Sequence, residues 1–241
     1  MARYAFADLH GRIDILNRIL EFVNPEDELY CLGDCGDRGP DPWTTIKLAL
    51  IDPQITYLKG NHEDMLVKAF RSAMEGDQSD YHLLHYNGGA KTFEKLIAEE
   101  RPDIWIDEIA KLPTTISLIN EAGQVIVLSH AGYTPDEWED RIPTDEDLMW
   151  SRDHFHDPWP ESPKYKNFVM IHGHTPISYL KEEGVLKPLL KTGKGNDLSY
   201  ADGHKICIDT GAVQTGIAVL LDLDTLEFHR IYGDEWNCLF D

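Results

Sequence analysis

Basic side chains are scarce in this chain. Its 241 residues carry 22 Lys and Arg against 43 Asp and Glu, a formal net charge of −21. Nucleic acid and anionic membranes, both polyanions, are therefore expected to be no partners of it. An anionic phosphate substrate would be repelled at long range as well, so local positive charge must dominate where one binds. Cysteine is scarce too: Cys31, Cys35, Cys207 and Cys238 are too few for a disulfide scaffold. Cys31 and Cys207 lie in strand-like runs and read as small buried apolar residues. Cys35 reads as a group supporting a ligand loop. No apolar run approaches the ~20 residues of a membrane-spanning helix. The first residues enter a strand-like run at once, with no signal-peptide core or small-residue cleavage site. A reducing cytoplasm is the expected compartment. Repeats, low-complexity tracts and linkers are absent, and 42% hydrophobic content over this length suits one large α/β domain, 1–241.

What is present is one arrangement used six times. A strand-like apolar run ends, and a metal-friendly or phosphate-friendly residue follows. Tyr4-Ala5-Phe6-Ala7 leads to Asp8-Leu9-His10-Gly11, and Glu28 to Leu32 leads to Gly33-Asp34-Cys35-Gly36-Asp37-Arg38-Gly39. Ile55 to Lys59 leads to Gly60-Asn61-His62-Glu63, and Val125 to Ser129 to His130-Ala131-Gly132. Phe168 to Ile171 leads to His172-Gly173-His174-Thr175, and Lys205 to Ile208 to Asp209-Thr210-Gly211-Ala212. Loops at strand ends form the crevice of an open α/β sheet.

The residue types suit a site for two divalent ions, which accept carboxylate and imidazole together. Asp8 and His10, two apart on an extended segment, would point the same way. Asp34 sits in a glycine-flanked turn and could bridge two ions. Asn61 offers a neutral oxygen, and His130 and His174 offer neutral imidazoles. Two carboxylates against a formal four positive charges leave the site cationic, as phosphate capture requires. Two ions about 3.5–4 Å apart can share a hydroxide and clamp an in-line displacement. Arg38 brings a planar fork matched to phosphate oxygens. His62 lies at the mouth, where Asp37 could fix its tautomer and raise its pKa, making a general acid for the leaving oxygen.

The ordered series from Asp8 to His174 resembles the calcineurin-like metallophosphoesterases. Within them it is similar to the phosphoprotein phosphatase branch, and to its small bacterial and bacteriophage serine/threonine phosphatases. Asn87-Gly88-Gly89, Trp150-Ser151-Arg152 and Ile208 to Val213 share that resemblance. The resemblance implies a four-layer α-β-β-α fold with two mixed sheets packed face to face. It implies that Asp8, His10 and Asp34 hold a first metal, and that Asp34, Asn61, His130 and His174 hold a second. Arg38 and Arg152 would bind phosphate, with His62 beside them, and His62 with Asp37 would protonate the leaving group. Two divalent ions are implied, manganese first, with iron, zinc, nickel or cobalt as alternatives. Cys35-Gly36 departs from the pattern, where bulkier apolar residues are usual.

The expected activity is that of a metal-dependent serine/threonine protein phosphatase, a hydrolase using a metal-bridging hydroxide. The expected partner is a phosphorylated protein or peptide, or a small phosphorylated molecule. A symmetrical dinucleoside-tetraphosphate hydrolase shares nearly every motif and is the alternative; a non-catalytic binding module is a third. Elsewhere, periodicity predicts helices over Ile13–Phe22, Trp43–Ile51 and Asp64–Met74, and a helical cap at about 75–122. Residues 133–165 read as an ordered loop region, 191–197 as a polar turn, and Thr215–Tyr232 as closing strands. His172 reads as a structural histidine, and His82 and His85 as surface or cap-packing groups. His154 and His156 read as solvated, and Asp209-Thr210-Gly211 as the loop ordering the floor of the site.

Overall fold

A computed structural model describes residues 1–135, 143–182 and 198–235. Two five-stranded mixed sheets form its middle. The first contains β1 (Arg3–Phe6), β2 (Glu28–Cys31), β3 (Ile55–Tyr57), β9 (Ile217–Asp222) and β10 (Phe228–Tyr232), in the order β10-β9-β1-β2-β3. The second contains β4 (Thr115–Ile119), β5 (Val125–Ser129), β6 (Phe168–His172), β7 (Ser199–Tyr200) and β8 (Lys205–Cys207), in the order β4-β5-β6-β8-β7. In each sheet three neighbouring strands are parallel: β1, β2 and β3 in one, β5, β6 and β8 in the other. Phe6 is in register with Cys31, and Cys31 with Tyr57. Leu128 is in register with Ile171, and Ile171 with Ile206. The loops that follow therefore leave each sheet at one level.

Strand alternation sets the layers. Ala5 and Ala7 join Leu32, Val219 and Leu221 in the core between the sheets, against Ile126, Leu128, Val169 and Ile171. Phe6, Leu29 and Cys31 face the other way, onto α1 (Ile13–Phe22) and α2 (Pro42–Ile51). On the outer face of the second sheet, Val127 and Met170 pack against Tyr133 and Leu148. The result is the four-layer α-β-β-α sandwich that the resemblance implies.

Three local expectations need correction. Helix α3 runs Asn61–Met74, so it starts three residues before the predicted Asp64. The Glu63 carboxylate accepts the Gly60 N–H at 3.0 Å, which caps that earlier first turn and places Asn61 and His62 within it. The segment 75–122 is not helical throughout. It holds α4 (Ser79–Tyr86), α5 (Ala90–Ile97) and α6 (Pro102–Ala110), after which β4 pairs antiparallel with β5. Its Thr115–Ile119 run is β-branched and apolar, and sheet pairing claims it. The 133–165 region contains the helix Asp145–Trp150, capped by Thr144 and Asp147. The 191–197 turn and Cys238 lie outside the described residues. Among the described residues no helix is long and apolar enough to cross a membrane.

Candidate active site

All six motif loops follow the parallel strands, and three of them carry residues in unusual backbone conformations. Asp8, His10, Asp34, Asp37, Arg38 and His174 all have positive φ, between 45° and 68°. Such conformations cost of order 1–3 kcal/mol each and persist only where surroundings enforce them. Here the first two loops are laced together: Asp8 N donates to Gly33 O at 3.1 Å, His10 N to Asp34 O at 3.0 Å and Gly11 N to Cys35 O at 2.7 Å. Asp8 and His10 thus reach inward through left-handed turns, not through the extended alternation predicted for them. Glycine is required where the loops touch: a Cβ on Gly39 would stand 2.0 Å from His10 O, and one on Gly33 2.7 Å from the Gly60 backbone.

Imidazoles surround one carboxylate. Asp34 Oδ2 lies 3.4 Å from His130 Nε2, 3.8 Å from His10 Nε2 and 3.9 Å from His62 Nε2. Asn61 Oδ1 lies 2.9 Å from His130 Nε2 and 3.0 Å from His174 Nδ1, which are 3.2 Å apart. Backbone carbonyls set the rings: His130 Nδ1 donates to Leu32 O at 2.8 Å, and His10 Nδ1 to Gly36 O at 2.9 Å. Each then turns Nε2 toward Asp34, the arrangement that orients a ligand imidazole. Burial pulls His130 down, but Asp34, Asp8 and Glu63 outweigh it and push the ring up to about 10. Burial opposes ionisation of Asp34, yet His130, His62 and His10 hold it well below the carboxylate range. The charge of Asp34 therefore favours a cation beside it, while burial holds His10 and His174 well below the imidazole range. Buried ring nitrogens, one amide oxygen and a shared carboxylate fit a divalent ion with borderline ligands.

Two groups of donors lie within 4.8 Å of one another: His10, Asp34 and His62, and Asp34, His130 and His174. Asp34 belongs to both. The predicted ligand Asp8 stands apart. Its carboxylate accepts the His174 backbone N–H at 3.1 and 3.2 Å, and burial with Asp209 beside it pushes its pKa well up. His62, expected outside the ligand set, lies in one of the two donor groups. Its Nδ1 meets Asp37 Oδ2 at 2.5 Å, so the expected His–Asp pair is formed. Arg38 donates through Nη1 to His10 Nε2 and through Nη2 to His62 Nε2, both at 2.8 Å.

Residues 1–205 match the calcineurin-like phosphoesterase family. The chain belongs to that family. Among curated proteins, the chain is 30% identical over 141 residues to serine/threonine-protein phosphatase 2 of Escherichia coli (strain K12), covering 56% of this chain and 60% of that one. It is also 30% identical over 143 residues to a symmetrical bis(5′-nucleosyl)-tetraphosphatase of Shewanella sp. (strain W3-18-1), covering 57% of this chain and 46% of that protein. The chain thus aligns with less than two thirds of either relative. A solved Saccharomyces cerevisiae serine/threonine phosphatase similar to human phosphatase PP5 shares the fold, with TM-score 0.60 at 14% identity, covering 98% of this chain and 81% of that one. So does a metallophosphoesterase from Sphaerobacter thermophilus, TM-score 0.56 at 16% identity, covering 97% and 90%. Members of the calcineurin-like phosphoesterase family use divalent metals.

Beside the two donor groups lies a cleft of about 770 Å3, lined by Arg38, Arg152, His174, Phe155, Tyr179 and Gln214 among others. Arg152, exposed to solvent overall, donates through Nε to Thr175 Oγ1 at 3.2 Å, and partial desolvation lowers its pKa. Both predicted phosphate arginines therefore face one cavity. Arg38 is held there by Asn87-Gly88: its N–H reaches Gly88 O at 3.1 Å and its Nε reaches Asn87 O at 3.3 Å. Arg152→Ala should lower kcat/KM on an aryl phosphate by about 10–100-fold, the ~1.5–3 kcal/mol of a hydrogen bond to a charged group. Metal content should stay unchanged. Wild-type kinetics in that variant would remove Arg152 from phosphate binding.

Supporting residues divide into expected and unexpected. His172 is structural, as read from sequence: it is buried, bonded to Gly173 O at 3.0 Å and to the Tyr200 hydroxyl at 2.7 Å, and burial drives it to about 3. His154, read as solvated, is fully buried, 3.2 Å from the same hydroxyl. Ring packing on Phe155 and His172 draws it inward. His156 is exposed, as read, and His82 and His85 lie on the exposed side of α4. Asp209 accepts the Gly211 N–H at 2.8 Å, and burial raises it to about 7. Sequence reading assigned nothing to Glu63. It accepts Asp34 N at 2.8 Å, Gly60 N at 3.0 Å, Cys35 N at 3.1 Å and the Tyr57 hydroxyl at 2.6 Å. Its place three residues after Gly60 was the available signal.

Proposed function

We propose that this phosphoesterase is a dinuclear-metal phosphomonoesterase, and that its substrates are phosphoserine and phosphothreonine side chains. The carrying observation is one carboxylate, Asp34, shared by two donor groups at the edge of a cleft that two arginines line. His10, Asp34, Asn61, His130 and His174 would hold the ions, with Asp8 joining when its carboxylate turns from the His174 backbone. When bound, the ions would supply Lewis-acid polarisation of phosphoryl oxygens and lower the pKa of an attacking water. Manganese is the metal proposed. Arg38 and Arg152 bind non-bridging oxygens. His62, oriented by Asp37, delivers a proton to the leaving oxygen. We read the chain as one domain acting in the cytoplasm, with α4–α6 forming its cap.

The second reading is a symmetrical dinucleoside-tetraphosphate hydrolase. The cleft supports it, because Phe155 and Tyr179 offer rings against which a base could stack. The larger share of the phosphatase relative that aligns, 60% against 46%, favours the first. A binding module without catalysis would not need the His62–Asp37 contact. The deciding experiment assays phosphopeptides, dinucleoside tetraphosphates and cyclic nucleotides with Mn2+. Phosphopeptides should give the highest kcat/KM. Faster turnover of dinucleoside tetraphosphates would replace the first reading with the second, and no turnover by metal-loaded protein would sink both.

A further inference from the structure

Cys31 and Cys35 flank the turn that carries Asp34, and their thiols touch. Cys31 ends β2 and is paired on both sides, with Phe6 of β1 and Tyr57 of β3. Gly33 and Asp34 then take consecutive left-handed conformations, φ 104° and 55°, which fold the chain back on itself. The return brings Cys35 Sγ to 3.2 Å from Cys31 Sγ, both fully buried. Cys207 is as deeply buried, but its sulfur contacts Thr175 O at 3.3 Å and no cysteine among the described residues.

We propose that Cys31 and Cys35 form a disulfide-forming modification site that switches the adjacent Asp34 turn off. The oxidant class is a small peroxide, with hydrogen peroxide as the probe. One sulfur attacks a peroxide oxygen and the O–O bond breaks. The departing hydroxide takes up a proton as water, leaving a sulfenic acid. The second sulfur displaces the sulfenic hydroxyl, which leaves as a second water, and the S–S bond forms. Two thiols lose two electrons and two protons in all, and one peroxide becomes two waters. Burial pushes the Cys31 thiol up, so the oxidation is slow and must be followed to completion.

Bond formation draws the sulfurs together by about 1.1 Å, to the ~2.05 Å of a disulfide. The strand end is pinned by two neighbouring strands, so the turn must take up most of that movement. Asp34 N and Cys35 N are tethered to the Glu63 carboxylate, and Asp34 Oδ2 stands among three imidazoles. Displacing a site group by ~1 Å can cost on the order of 10²-fold in rate.

The test treats the full chain with hydrogen peroxide, follows p-nitrophenyl phosphatase activity and maps the thiols by mass spectrometry. Loss of two hydrogens localised to Cys31 and Cys35, with Cys207 still alkylated, is expected. Activity should fall on the order of 10²-fold and return with dithiothreitol. Cys35→Ala, compared with its own untreated rate, should resist peroxide; Cys31→Ala provides the same test should the first fold poorly. Thiols that both remain alkylatable after prolonged treatment would overturn the modification site. A mapped disulfide with unchanged activity would overturn the switch, as would equal inactivation of the alanine variants. The mapping needs no turnover, so it stands or falls separately from the proposed substrate.

Discussion

Asp34→Asn should be the most damaging single substitution in the chain. Asp34 is the one residue common to both donor groups, and its Oδ2 has three imidazole nitrogens within 3.9 Å. Its other oxygen accepts the His62 N–H at 3.0 Å, so the same carboxylate also orders the first turn of α3. The variant keeps the shape and removes the charge. Three imidazoles then lose the anion that makes their pocket attractive to cations. Wild type should bind two Mn2+ per chain and the variant one or none. The rate should fall on the order of 10³-fold, ~4 kcal/mol of transition-state stabilisation, within the several kcal/mol that metal-ion catalysis contributes. Metal analysis and kinetics on one sample decide it. Two retained ions with near-normal turnover would show that Asp34 is not shared.

Most of the site could be read in the sequence because each ligand candidate follows a parallel strand. Apolar runs such as Val125–Ser129 and Phe168–His172 are buried on both faces, so their ends are easily found. Once six such ends carry Asp, Asn or His, a shared crevice follows from register. What was hidden depended on long-range contact. Nothing in the local sequence showed that the Asp8 carboxylate meets the His174 N–H, a pairing across 166 positions. His154 looked solvated among prolines and aspartates, and only packing on His172 and Phe155 buries it. Thr115–Ile119 lies in a segment whose periodicity predicts helix, because its strand partner is the next segment along. Glu63 reads from sequence as a local cap at most, whereas its carboxylate also reaches Tyr57 and the Asp34 turn.

The same long-range contacts sharpen the role of His62. Its Nδ1 is committed to Asp37, whose own N–H is held by Thr92 Oγ1 at 3.1 Å and whose Oδ1 accepts the Thr92 hydroxyl. The ring is thus braced from α5, and Nε2 alone is directed toward Asp34 and Arg38. One nitrogen in that position can serve as a metal ligand or as a general acid, and the two roles predict different losses. A phosphoserine leaves as an alkoxide, which needs a proton in the transition state. p-Nitrophenolate is a stable anion and needs little help. As a general acid, His62→Gln should keep both ions. It should lose roughly 10²–10⁴-fold more rate on phosphoserine peptides than on p-nitrophenyl phosphate. Asp37→Asn should show the same asymmetry more weakly, because it orients the ring without donating the proton. Equal losses on the two substrates would assign His62 to phosphate binding. Loss of an ion in His62→Gln would instead make it a ligand, in keeping with its place 3.9 Å from Asp34 Oδ2 in the donor group with His10.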